Sequence, residues 1–127
     1  MTQTVQEWIE IADYDLQTAA AMFKAKRYLY VIFMCQQAVE KALKGLFVQN
    51  KAQLPPRTHN LLYLAEEMSL KLKKQELVLL SYLNQFYLES RYPGQRNQLA
   101  KEVHKLKAKE ILISTREVIK CLKKNLR

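Results

Sequence analysis

Phe33-Met34-Cys35-Gln36-Gln37-Ala38-Val39-Glu40-Lys41-Ala42-Leu43-Lys44 decides how this chain folds. At about 100° per residue, Met34, Cys35, Ala38, Val39, Ala42, Leu43 and Leu46 share one broad helical face. Gln36, Gln37, Glu40, Lys41 and Lys44 gather on a narrower arc opposite, together with Phe33 and Phe47. Spacing alone reads that arc as a solvated face. Its Gln36–Glu40 and Glu40–Lys44 pairs at i,i+4 would each contribute only about 0.2–0.5 kcal/mol. The two phenylalanines argue otherwise, because apolar surface of that size is expected to be covered by a second copy of the chain. The interface candidates are therefore Phe33, Gln36, Gln37, Glu40 and Phe47.

Helical periodicity continues on both sides of this stretch. Val5, Trp8, Ile9, Ala12, Leu16, Ala19 and Phe23 recur at i, i+3, i+4, i+7 over about five turns. A break at Lys24–Arg27 leads into a second helix from Tyr28 to Asn50. Lys51–Arg57 reads as a loop, since Pro55-Pro56 disfavours helix. Thr58 is the expected N-cap of a third helix carrying Leu61, Leu62, Leu64, Ala65 and Met68. A fourth is expected over Gln75–Glu89, with Leu79, Leu80, Leu83, Phe86 and Tyr87 inward. Arg91-Tyr92-Pro93-Gly94 should end it in a turn. Gln95–Lys105 is polar and receives no element. A last helix over Leu106–Leu126 should bury Ile111, Thr115, Val118, Ile119 and Leu122. No strand pattern competes. The expectation is one all-α domain over residues 1–127, an antiparallel up-and-down helical bundle of four to five helices.

Composition bounds the function classes. The chain has 127 residues, 49% apolar and 26% charged, enough for one domain with a real core. Its longest apolar run, Tyr28–Cys35, is too short to span a bilayer, so no membrane partner is expected. Residues 1–23 hold Glu7, Glu10, Asp13 and Asp15 but no Lys or Arg, unlike a secretory signal. A cytoplasmic location follows as an expectation, with Cys35 and Cys121 as free thiols. Two cysteines and two histidines, widely scattered, make no zinc spacing, and no metal or cofactor is expected. The net charge of +9 is uneven. Residues 101–127 carry nine Lys or Arg against three Glu, hence +6, while residues 1–23 carry −4. A basic segment of this kind attracts polyanions such as RNA. It equally suits the solvated face of a terminal helix drawn to the acidic first helix.

Several motifs occur in order along the chain. They are Ala12-x-x-Asp15-Leu16-x-x-Ala19, Tyr28, the Phe33–Lys44 block, Thr58-His59-x-Leu61-x-x-Leu64 and Arg91-Tyr92-Pro93-Gly94. Together they resemble the HEPN domain over about residues 5–123. The resemblance implies an up-and-down bundle that usually dimerises. It also implies a partner, because stand-alone HEPN chains are often encoded beside a minimal nucleotidyltransferase in toxin–antitoxin-type pairs. On this resemblance the polar arc becomes a candidate partner or nucleotide surface. Lys41, Lys44, Arg91 and Tyr92 are then the candidate contacts to nucleotide or RNA.

Some HEPN proteins are metal-independent endoribonucleases with an Arg-x4-6-His motif near the start of the final helix. The histidine there moves a proton of the ribose 2′-hydroxyl and the arginine stabilises phosphate charge. Here seven residues separate Arg96 from His104, Arg91 lies further away, and one residue separates Arg57 from His59. Arg91 or Arg96 with His104 is thus a catalytic alternative that needs a tertiary contact, and the resemblance implies that two copies would compose such a site across a dimer interface. The preferred expectation is a non-catalytic binding module, with ribonuclease and plain helical adaptor as alternatives. His59 is read as serving the start of the third helix. Arg91 and Tyr92 fit two roles equally: phosphate contact with base stacking, or the helix C-terminus with packing on the bundle.

Overall fold

Thr4 sets the start of the first helix. Its Oγ1 accepts from the Glu7 N–H, and the Glu7 carboxylate accepts from the Thr4 N–H, both at 3.0 Å. This reciprocal cap opens α1 (Val5–Lys24) in the computed structural model, which describes residues 4–127. A tight turn with Lys26 left-handed reverses the chain into α2 (Tyr28–Lys51), antiparallel to α1. A Cβ at Gly45 would meet Trp8 Cβ at 3.1 Å and Ile9 Cδ1 at 3.2 Å. Only glycine allows α1 to lie this close.

α2 is the hub of the bundle, packed against α1, α3, α4 and α6. From Val31 to Phe47 only Phe33, Met34, Gln37 and Lys41 escape full burial, so most of the helix circumference is covered. The expected polar arc is therefore largely internal. Phe47 is 7% exposed, and Phe33 stacks on Tyr87 with ring centroids 6.3 Å apart. The chain covers these rings itself, which removes the reason for assigning them to a partner.

Beyond Ala52 the chain loops to α3 (Leu61–Glu67) and α4 (Lys74–Ser90). The N-cap of α3 is Asn60, not Thr58: Asn60 Oδ1 accepts from the Tyr63 N–H at 3.1 Å. Thr58 acts one step earlier, its hydroxyl accepting from the Asn60 N–H at 3.1 Å. Asn84 on α4 decides between the two capping residues, because its Nδ2 donates to Asn60 Oδ1 at 2.9 Å. On α4, Leu79, Leu80, Leu83 and Phe86 are buried and Tyr87 half-buried.

α4 ends at Ser90 and the chain turns at Arg91-Tyr92, as expected, but Pro93-Gly94 lie in a further helix rather than in the turn. Pro93 opens α5 (Pro93–Glu102), where its missing N–H costs nothing, with Tyr92 as N-cap. α6 (Lys105–Lys123) completes six helices among the described residues, against the four to five expected. Ile111, Thr115, Val118, Ile119 and Leu122 are all buried along it, as its periodicity predicts. Lys123 Nζ donates to Asp13 at 2.6 Å, joining the basic last helix to the acidic first one. No helix of the described residues is long and apolar enough to cross a membrane.

Candidate functional site

Glu40 is the centre of the buried polar group on α2. It is 2% exposed and accepts three hydrogen bonds, from Gln36 Nε2 at 3.1 Å, Lys44 Nζ at 3.0 Å and His59 Nδ1 at 2.9 Å. Burial pushes its carboxyl upward. The hydrogen bonds from His59, Lys44 and Gln36, with the Lys44 charge, outweigh that and hold it below the usual carboxylate range. Gln36 Nε2 also donates to the His59 carbonyl at 3.3 Å, so α2 grips the incoming loop by side chain and backbone together. Gln36 and Lys44 are themselves buried, and the Lys44 ammonium lies 5.9 Å from the Trp8 ring centroid.

This placement revises the assignments made from spacing. Gln36 and Glu40 lie inside the protomer, where they cannot meet a second copy. Lys44 is committed to Glu40 and is 8% exposed, which withdraws it from phosphate contact. The reason is tertiary. The loop carrying His59 lies over the polar arc and supplies the hydrogen-bonding partner that lets a carboxylate stay buried. Gln37 and Lys41 keep part of their surface, with Lys41 Nζ donating to Gln37 Oε1 at 3.1 Å.

Above the Glu40 group lies a cleft of about 300 Å³ lined by Arg57, Thr58, His59, Asn60, Asn84, Tyr87, Leu88 and Arg91. α4 presents Asn84, Tyr87, Leu88 and Arg91 on one stripe, and the loop before α3 supplies the rest. The His59 ring sits 4.7 Å from that of Tyr87, and its Nδ1 is held by Glu40. Nδ1 being engaged, Nε2 is the ring nitrogen free for a ligand. The Arg91 guanidinium lies 5.8 Å from the Tyr87 centroid on the same rim. Among the described residues no carboxylate lines the cleft, while two arginines, Arg57 and Arg91, do. Arginine side chains without a lining carboxylate suit an anion better than a cation.

The other candidates are placed elsewhere. Tyr92 is 63% exposed and lies outside the cleft lining. Arg96 donates to the Tyr30 hydroxyl at 2.8 Å and covers that ring. His104 precedes α6 and lines a second cleft, of about 340 Å³, with Tyr82, Glu89, Glu102 and Lys107. Arg91 and His104 thus belong to different clefts, and Arg96 lines neither. Sequence reasoning missed Arg57 and Tyr87 as cleft residues and cast His59 as structural. The available signal was the run Arg57-Thr58-His59 directly after two prolines, a loop stiffened beside the polar arc.

An all-α antiparallel bundle with a buried carboxylate group on its central helix is the class these observations define. The chain belongs to the HEPN family, whose domain model matches residues 5–126. Two solved structures share the fold. TT1696 from Thermus thermophilus superposes with a TM-score of 0.82 at 23% identity, over 96% of this chain and 98% of that one. ST0689, an archaeal HEPN homologue, superposes with a TM-score of 0.80 at 24% identity, over 99% of this chain and 100% of that one. No curated protein matches the sequence significantly.

Proposed function

We propose that this HEPN chain is a helical binding module that holds nucleotide or RNA by phosphate in the Arg57–Arg91 cleft. In this reading it works as a homodimer partnered with a minimal nucleotidyltransferase in a toxin–antitoxin-type pair. The observation that carries the reading is the acid-free cleft itself, lined by Arg57 and Arg91 and by His59, which Glu40 fixes. Membership of the HEPN family supports the partner and the dimer. Binding is preferred to ribonuclease action, because seven residues separate Arg96 from His104 and within one protomer His104 shares no cleft with Arg91 or Arg96.

The test is fluorescence anisotropy of the purified chain with labelled RNA and with a labelled nucleotide. Arg91→Ala should weaken binding about tenfold or more, the usual loss for a charge-assisted hydrogen bond. Exchanging Lys109 and Lys120 on the exposed face of α6 for Gln should chiefly reduce the salt dependence. No binding of either probe by the wild-type chain would refute the reading. Sedimentation tests the dimer, and co-purification with the product of the neighbouring reading frame tests the partner.

A further inference from the structure

Tyr87 is the aromatic ring within the proposed phosphate cleft, yet its surroundings are already taken. Phe33 stacks against it at 6.3 Å with the planes 16° apart. His59 covers it at 4.7 Å and Arg91 at 5.8 Å. A nucleobase stacking on this ring would have to displace one of them. The two asparagines are also committed. Asn60 Oδ1 receives the Tyr63 N–H and Asn84 Nδ2, while Asn84 Oδ1 receives the Leu61 N–H at 2.9 Å. Their carbonyl oxygens are therefore spent on the fold, leaving amide hydrogens but few acceptors to read a base edge. What the cleft offers in excess is donors, beside His59 Nε2, which in the neutral ring is an acceptor once Nδ1–H is given to Glu40.

The charge balance adds a second constraint. Arg57 and Arg91 line the cleft, and the carboxylate beneath His59 is already neutralised by Lys44. Two guanidinium forks can each engage a pair of oxygens on one anion. A phosphate within a strand has one negative charge and two unesterified oxygens, which one fork satisfies. A terminal phosphate has up to two charges and three such oxygens, which both forks can share. A cleft of about 300 Å³ has room for about one nucleotide, at the lower end of ligand-site volumes.

We infer that the ligand of this cleft is a terminal phosphomonoester, recognised by its phosphate with little regard to the base. The inference rests on the phosphate-binding reading above and narrows it. The 5′-phosphorylated end of an RNA and a free nucleoside monophosphate share the required chemistry.

The experiment compares one short oligoribonucleotide with a 5′-phosphate and with a 5′-hydroxyl, alongside AMP, GMP, CMP, UMP and adenosine. The 5′-phosphorylated RNA should bind about tenfold or more tightly than its hydroxyl form, as expected for an added charge-assisted contact. The four monophosphates should agree within about threefold, adenosine should not bind, and inorganic phosphate should compete. Arg57→Ala and Arg91→Ala should each remove the preference for phosphate. Arg91→Lys, which keeps the charge but loses the fork, should remove most of it. Retention of RNA but not free monophosphate would assign the site to strand ends; equal retention would leave both sources as ligands, and either supports the inference. Equal binding of the phosphate and hydroxyl RNAs, still weakened by Arg91→Ala, overturns the inference and leaves phosphate binding standing. A spread beyond tenfold among the four monophosphates also overturns it. Absence of all binding overturns both.

Discussion

Replacing Glu40 by Ala removes the acceptor for three donors at once, and the cost can be worked out. Lys44 is 8% exposed and its ammonium has Glu40 as its only ion-pair partner among the described residues. Removing one member of a buried ion pair typically costs about 3–5 kcal/mol, because the other charge is left in a poorly solvating site. For a chain of 127 residues the unfolding entropy is about 0.27 kcal/mol/K, so Tm should fall by about 11–19 °C. Gln36 and His59 lose less, since Gln36 also reaches the His59 carbonyl and the His59 side chain is half exposed. The control is Glu40→Met with Lys44→Met, which removes both charges and fills the space. It should recover most of the loss, as apolar replacements of buried pairs do. Urea titration with a constant m-value, read beside thermal melts, measures both variants. A loss under about 1 kcal/mol for Glu40→Ala, or a double variant no better than the single one, would refute a buried and mutually dependent group.

Four further outcomes follow, one from Glu40 again and three from other parts of the molecule. Glu40 has its carboxyl held below 4.5 in the fold, so its stabilisation is complete above that pH and lost as pH falls through the lower folded value. Stability measured between pH 3 and 6 should accordingly slope less in Glu40→Gln, as one of the groups with a depressed pKa is gone. Gly45→Ala should destabilise despite a helix-propensity gain of about 1 kcal/mol, since the contact at 3.1 Å is to Trp8 Cβ, fixed close to its backbone. A stabilising Gly45→Ala in urea titration would show that α1 can move away. Ala52 is left-handed at φ 51 and Gly there should add about 0.5–1 kcal/mol by the same assay. Burial pushes the Cys35 thiol up to about 11, against the pull of Thr115 and Arg116. A thiol reagent at pH 8 should therefore titrate one cysteine in the native chain and both on unfolding; fast reaction of both in the native chain would contradict the burial.

The helices that face the core were legible in the sequence because burial imposes a period on them. Ile111, Thr115, Val118, Ile119 and Leu122 mark α6 without any structural knowledge, and α1 is equally clear. α5 was not legible, because it buries only Leu99 and has almost no apolar pattern to read. Its start is marked by Pro93, a residue that suits the first position of a helix and the end of another alike. The site failed for a different reason. Gln36, Glu40 and Lys44 have the spacing of a solvent face, and a helix alone cannot reveal that a loop nineteen residues on will cover it, joined through His59 to Glu40 at 2.9 Å. Polar burial is decided by the partner, and the partner was distant in sequence.

The same distinction governs how the charge of +9 should be understood. Much of the excess lies on α6, where Lys105, Lys109, Arg116 and Lys120 are exposed and none takes part in an ion pair among the described residues. Such charges act over about a Debye length of 8 Å at physiological salt and attract any polyanion with steep salt dependence. Arg57 and Arg91 differ in kind rather than in number, since both line one cleft with an imidazole fixed by Glu40. Raising the salt should therefore separate the two contributions. The component that disappears belongs to α6 and carries no ligand preference. The component that survives, and that Arg91→Ala abolishes, is the one a phosphate-binding cleft requires.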